Sequence, residues 1–192
     1  MNPIDCALLA KRAYADAPTV GRADSASRMH VYGEVHVFRG SDDIASFLAD
    51  ADCITVETMG FGKLHAGFWE AWCVMRRDCL AIQAPKAAAG HSLGGVLAII
   101  CALEWALKGV IVPIYAFEPP RLCCDDTMQM LIQQKGIPFF ATRNGNDLVT
   151  QVPVNMTLPG PLTQIGKGVL PFDNIEDHSI DRVIQALTGV EQ

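Results

Sequence analysis

Charge is scarce in this sequence, and the features that would send it to a nucleic acid or through a membrane are missing. Asp, Glu, Lys and Arg make up 19 % of the 192 residues, with a net charge of −6 and a pI near 5.3. No Lys/Arg cluster offsets that acidity, which excludes the phosphate-neutralising surface that nucleic acids require. It also removes electrostatic help in docking to anionic headgroups. Residues 1–17 mix Asp5, Lys11, Arg12 and Asp16 into the first turns and lack a basic start followed by an unbroken apolar stretch. A secretory signal is therefore not expected, and the chain reads as cytoplasmic or released without a recognisable signal peptide. The longest apolar region, 96–117, is interrupted by Glu104 and Lys108; it reads as a buried helix and then a strand, which excludes an integral membrane segment. The seven cysteines are an odd number with no paired metal-binding spacing. Cys123 and Cys124 are adjacent, where a bridge between them would be strained. They read as free, mostly buried thiols, and no metal or cofactor is expected.

What is present is apolar bulk and a regular alternation of elements. Half of the residues are apolar, enough for one good-sized core, and neither a repeat nor a low-complexity linker divides residues 1–192. Helices are predicted over 3–15, 65–83, 125–134 and 177–187, besides the one that starts near residue 93. Strands are predicted over 29–32, 34–39, 53–57, 86–89, 110–117 and 137–142. That alternation implies an α/β fold, with a mostly parallel central sheet and helices on both faces. One conflict stands out: Ala87, Ala88 and Ala89 must form a central strand, although alanine is a poor strand former.

Gly90-His91-Ser92-Leu93-Gly94-Gly95 decides the functional reading. A chance Gly-x-Ser-x-Gly is expected only roughly 0.05 times in a chain this long. Here it follows a small, apolar strand and opens an apolar helix. In that context the motif is a nucleophile elbow, a sharp turn that lifts the serine hydroxyl out at its tip. Gly90 and Gly94 leave room for strand and helix to pass closely, and the helix N-terminus faces the oxygen that the serine attacks. A serine hydroxyl needs a base, and the base needs a third group to hold its tautomer. Among the five histidines, only His178 follows Ser92, and Ser, acid, His is the chain order on such a fold.

Acid candidates between them are Asp125, Asp126, Asp147, Asp173, Glu176 and Asp177. Asp147 is preferred because it sits in an Asn/Gly-rich turn after a predicted strand, at the same sheet edge as the elbow. Asp177 is the runner-up; as the neighbour of His178 its side chain should diverge and cap the last helix. His91, inside the elbow, reads as structural support.

These residues resemble the class 3 lipases, the α/β-hydrolase group of fungal triacylglycerol lipases and feruloyl esterases. Phe38-Arg39-Gly40-Ser41 is similar to the family's oxyanion segment, Leu64-His65-Ala66-Gly67-Phe68 to its Val-His-x-Gly-Phe stretch, and residues 90–95 to its elbow. Residues 117–121 resemble its Gly-x-Pro-Arg turn, with Glu118 and Pro119 in place of the family's second Gly. Residues 144–153 are similar to the segment that carries the acid. The resemblance implies a compact α/β-hydrolase with Ser92 as nucleophile, Asp147 as acid and His178 as base. The Ser41 and Leu93 amides would form the oxyanion hole, a role in which Ser41 can also be a helix N-cap. Residues 42–50 align with the family's lid, where Ile44, Phe47 and Leu48 share a helical face. Those three side chains would bury about 5 kcal/mol of transfer free energy, a short cover at most. The implied activity is carboxylic-ester hydrolysis on a small-molecule ester or lipid, with transient contact to a lipid interface and no cofactor. The alternatives are a thioesterase or acyltransferase on the same triad, and a non-catalytic lipid-binding module.

Overall fold

The structure is a computed structural model and describes residues 1–22, 24–41 and 54–189. The predicted lid, with Ile44, Phe47 and Leu48, lies outside the described residues. Helix α1 (Pro3–Arg12) starts as its sequence dictates: Pro3 opens it, and the Asn2 side chain accepts from the Asp5 amide at 2.8 Å. Strands β1 (Val20–Gly21), β2 (Arg28–Tyr32) and β3 (Val35–Phe38) follow, then a separate antiparallel hairpin, β4 (Thr55–Thr58) and β5 (Gly62–His65). Next come α2 (Ala66–Ala81), β6 (Ala87–His91), α3 (Leu93–Leu107), β7 (Ile114–Phe117), α4 (Thr127–Lys135), β8 (Phe139–Asn144), β9 (Leu162–Ile165) and α5 (Ile180–Thr188).

The main sheet has seven strands in the order β1-β2-β3-β6-β7-β8-β9. From β3 to β9 every pairing is parallel; β1 and β2 pair antiparallel at the edge. Parallel neighbours end at one edge, so β3, β6, β7 and β8 deliver Ser41, Ser92, Glu118 and Asp147 to the same rim. This is the expected α/β-hydrolase layout, with helices on both faces.

The alanine strand resolves its conflict by packing. Ala88 faces a core built from α2 and α3, including Trp72, Leu97 and Ile100. Ala87 and Ala89 face the other side, against Cys6, Ala7, Ala10 and Ala13 of the opening helix region, beside Val183 of α5. All three alanines are fully buried. Close small-on-small contact with α1 outweighs the weak strand preference of alanine.

Several predicted boundaries move for identifiable reasons. β7 begins at Ile114 because residues 108–110 complete the exit from α3, with the Lys108 and Val110 amides donating to the Trp105 carbonyl at 3.0 and 2.9 Å. Pro113 cannot donate to a ladder there. α5 begins at Ile180, three residues later than expected, so Asp177 and His178 lie in the preceding loop. Strands β1, β5 and β9 have no alternating apolar pattern long enough to be read. Within α3, Glu104 is tied to Arg76 and to the Trp72 indole N–H (3.2 Å), which explains a carboxylate inside an apolar helix. Of the cysteines, Cys6, Cys79, Cys101 and Cys123 are buried free thiols and Cys73 is exposed.

Candidate active site

The elbow carries the strain that its sequence requires. Ser92 has φ 58° and ψ −129°, a left-handed setting for a residue with a side chain. A Cβ on Gly90 would strike the Gly94 carbonyl, and one on Gly94 would strike the Phe38 carbonyl. Both glycines are needed because β6, α3 and the end of β3 converge there. Leu93 is the first residue of α3, where an amide has no acceptor within the helix.

Asp147 follows β8 and is fully buried. Its Oδ1 accepts from the Val149 amide at 2.9 Å, and its Oδ2 lies 3.0 Å from His178 Nδ1. The other imidazole nitrogen, Nε2, is buried without a hydrogen-bond partner, and so is Ser92 Oγ. Both residues line one cavity of about 300 Å³ together with Tyr14, Ser41, His91, Ser179 and Ile180. The geometry thus brings Ser41, Ser92, His178 and, behind the imidazole, Asp147 to a single rim.

Asp177 does not cap the last helix. Its carboxylate accepts from the Asn146 amide (2.9 Å), the Val169 amide (3.0 Å) and the Asn174 side chain (3.0 Å), with Arg182 3.6 Å away. Burial pulls its pKa up, but those donors lower it more, and the carboxyl ends below the usual aspartate range. It fastens the loop that presents His178 to the turn that presents Asp147, by backbone amides no sequence pattern reveals.

Glu118 and Tyr14 stand beside the predicted site residues, and sequence reasoning gave neither of them a part in the site. Glu118 follows β7, is fully buried, and has φ 52°. Its Oε2 lies 2.9 Å from His91 Nε2 and 3.8 Å from His178 Nδ1. Burial drives its carboxyl well above the usual range, with Asp147 adding to the rise; His178 and the Asn144 and Ser179 amides pull the other way. His91 completes its hydrogen bonding through Nδ1, 2.8 Å from the Tyr14 hydroxyl, and burial pushes its pKa down to about 4. The available signal was Glu118 standing where the resembling turn has glycine. For Tyr14, which lies beyond the end of α1, there was none. His91, Glu118 and His178 also present donor atoms within 4.8 Å of one another. Tyr14, Asp147 and the His91–Glu118 contact already engage these groups, so we assign no ion there.

A parallel sheet with this elbow at its carboxyl edge defines an α/β-hydrolase. The sequence profile described as Lipase (class 3) matches residues 35–157, and the chain belongs to the class 3 lipase family. A lipase of Rhizomucor miehei is 30 % identical over 150 residues, covering 70 % of this chain and 40 % of that protein. The "Secreted mono- and diacylglycerol lipase 1" of Fusarium solani is 31 % identical over 99 residues, covering 47 % of this chain and 29 % of that protein. The chain thus spans less than half the length of these relatives. Among solved structures, the Rhizomucor miehei triacylglyceride lipase superposes with a TM-score of 0.72 at 20 % identity, covering 92 % of this chain and 91 % of that one. A lipase of Rhizopus microsporus var. chinensis gives 0.67 at 18 % identity over 91 % and 84 %. No helix among the described residues is long and apolar enough to cross a membrane.

Proposed function

We propose that this chain is a serine carboxylic-ester hydrolase that acts on lipid-type esters through an acyl-enzyme. The single observation that carries the reading is the state of His178. One imidazole nitrogen is held 3.0 Å from Asp147, and the other is buried without a partner in the cavity that Ser92 also lines. A described solved relative, a triacylglycerol lipase whose catalytic centre is a serine protease triad, supports the assignment.

In this mechanism Ser92 Oγ attacks the ester carbonyl and His178 Nε2 takes its proton. Asp147 accepts the Nδ1–H bond, fixes the tautomer and stabilises the imidazolium. The amides of Leu93 and Ser41 donate to the developing oxyanion. His178 then protonates the departing alcohol, and water, activated by the same imidazole, releases the acid. The substrate is an uncharged ester, which suits a cavity whose described lining carries no Asp, Glu, Lys or Arg. Four buried free thiols support folding in a reducing compartment, whereas the Fusarium solani relative is secreted by name.

The test pairs p-nitrophenyl ester hydrolysis with labelling by a fluorophosphonate. Wild-type protein should turn over the ester and carry the label on Ser92, and Ser92→Ala should lose both while melting as the wild type does. A folded wild-type protein that neither labels nor hydrolyses would instead favour the non-catalytic lipid-binding module.

A further inference from the structure

A second hydrogen-bonded chain lies against the first and is not used by the steps above. Asp147, His178 and Ser92 run acid, imidazole, hydroxyl. Glu118, His91 and Tyr14 repeat that order, with contacts of 2.9 Å and 2.8 Å. The two imidazoles pack on each other, centroids 4.7 Å apart and planes inclined by 31°. Both hydroxyl-bearing residues line the same cavity. A Cβ on Gly40 would fall on the Tyr14 hydroxyl, so that hydroxyl lies beside the backbone leading into Ser41.

Glu118 is an unfavourable residue in its place. A left-handed backbone strains a residue with a side chain, and glycine would remove that strain. Its carboxyl is fully buried, with one oxygen set against the imidazoles of His91 and His178. Such a group persists where it serves the site.

Its protonation decides which way the chain points. The charged groups acting on it are Asp147, which opposes ionisation, and His178, which favours it; burial is the larger influence and favours the neutral acid. Asp147 and Asp181 favour the charged imidazolium of His91, but burial outweighs them and keeps that ring neutral. Two neutral groups share protons in one order. The Glu118 O–H donates to His91 Nε2, so His91 carries its own proton on Nδ1 and donates it to the Tyr14 oxygen. The Tyr14 oxygen then accepts from His91, and its own proton is directed away from that imidazole. An ionised Glu118 would take the Nε2–H instead and turn the tyrosine proton inward, toward Nδ1.

We propose that Glu118 and His91 are a positioning pair that makes the Tyr14 hydroxyl a donor into the cavity, where it joins the Ser41 and Leu93 amides on the carbonyl oxygen of the tetrahedral stage. This rests on the ester-hydrolase reading of Ser92. Tyr14 touches substrate; Glu118 and His91 act through it.

The test uses the full chain, p-nitrophenyl butyrate and fluorophosphonate labelling. Tyr14→Phe should lower kcat about 100-fold, the scale of losing one oxyanion donor, with KM unchanged and the Ser92 label retained. Glu118→Gly should melt no lower than wild type and lose a similar factor. The double variant Tyr14→Phe, Glu118→Gly should be no slower than either single one. Glu118→Gln, whose amide N–H also donates to His91 Nε2, should recover most of the kcat lost in Glu118→Gly. It should also leave the acidic-limb midpoint of kcat/KM in place. Wild-type kcat in Tyr14→Phe overturns the proposal while the hydrolase reading stands. So does a Glu118→Gln variant as slow as Glu118→Gly, or one whose midpoint moves to lower pH, since either means an ionised carboxylate. Absence of turnover and label in the wild type is a different result, the failure of the hydrolase reading, and overturns the proposal with it.

Discussion

Replacing Asp177 by Asn separates a residue that builds the site from one that acts in it. The Asp177 carboxylate accepts bonds from the Asn146 and Val169 amides and from the Asn174 side chain. Asparagine keeps one acceptor oxygen and turns the other into an N–H donor aimed at donors. One or two charge-assisted bonds are lost, each worth roughly 1.5–3 kcal/mol. The expected cost is about 2–4 kcal/mol, or a fall in Tm of roughly 5–15 °C for a domain of this size. The native carboxyl sits below 3.8 because donors outweigh burial. The stabilisation is therefore fully present above the unfolded-state value and is lost as the pH falls through the lowered native one. Thermal unfolding of both proteins at pH 7 should show the full gap, which narrows only below about pH 4. At a temperature where the variant is folded, kcat should stay within tenfold of wild type. A Tm change under 1–2 °C, or a kcat loss of several thousand-fold in folded protein, would refute this account; the second would make Asp177 the acid.

The other expected outcomes concern the elbow, the acid and acidification. Asp147→Asn should retain the Val149 contact through Oδ1 and lower kcat/KM about 10⁴-fold with little change in Tm, because the imidazole is left in the wrong tautomer; steady-state assays giving a loss below tenfold would reassign the acid. Gly94→Ala drives a methyl group into the Phe38 carbonyl and should cost about 3 kcal/mol in urea unfolding; an unperturbed midpoint would mean that β3 and α3 are not in close contact. His36 and His91 are both pushed from 6.5 to about 4 by burial. The unfolded chain binds their protons first, so stability falls as pH drops from 6.5 toward 4, by about 2 kcal/mol each at pH 5. Urea titrations at pH 7 and 5 should show that loss, and His36→Gln should remove roughly half of it.

The local features of this protein were legible because they are local in cause. The elbow at Ser92 is written in glycines whose missing Cβ atoms make room for backbone four residues away or on the neighbouring strand. Asn2 and Pro3 start α1 through contacts within one turn. The 68-72-75-79 apolar spacing of α2 is the spacing that is buried. Chain order alone singled out His178 as candidate base, since no other histidine follows Ser92.

What the sequence could not supply was anything that depends on partners far along the chain. Propensity argues against the alanine strand at the centre of the sheet; it exists because α1, some 80 residues earlier, offers small side chains to pack on it. Asp177 reads as a helix cap and is instead a buried knot between two loops, because its donors are backbone amides that any residue type can present. Glu118 reads as a departure in a turn and proves to be a buried acid against two imidazoles, joined to Tyr14 from the opposite end of the polypeptide. Periodicity and turn chemistry fix which elements form, because those forces act over a few residues. Which side chains meet at the sheet rim, and in what protonation state, follows only once the parallel strands are aligned and water is excluded between them.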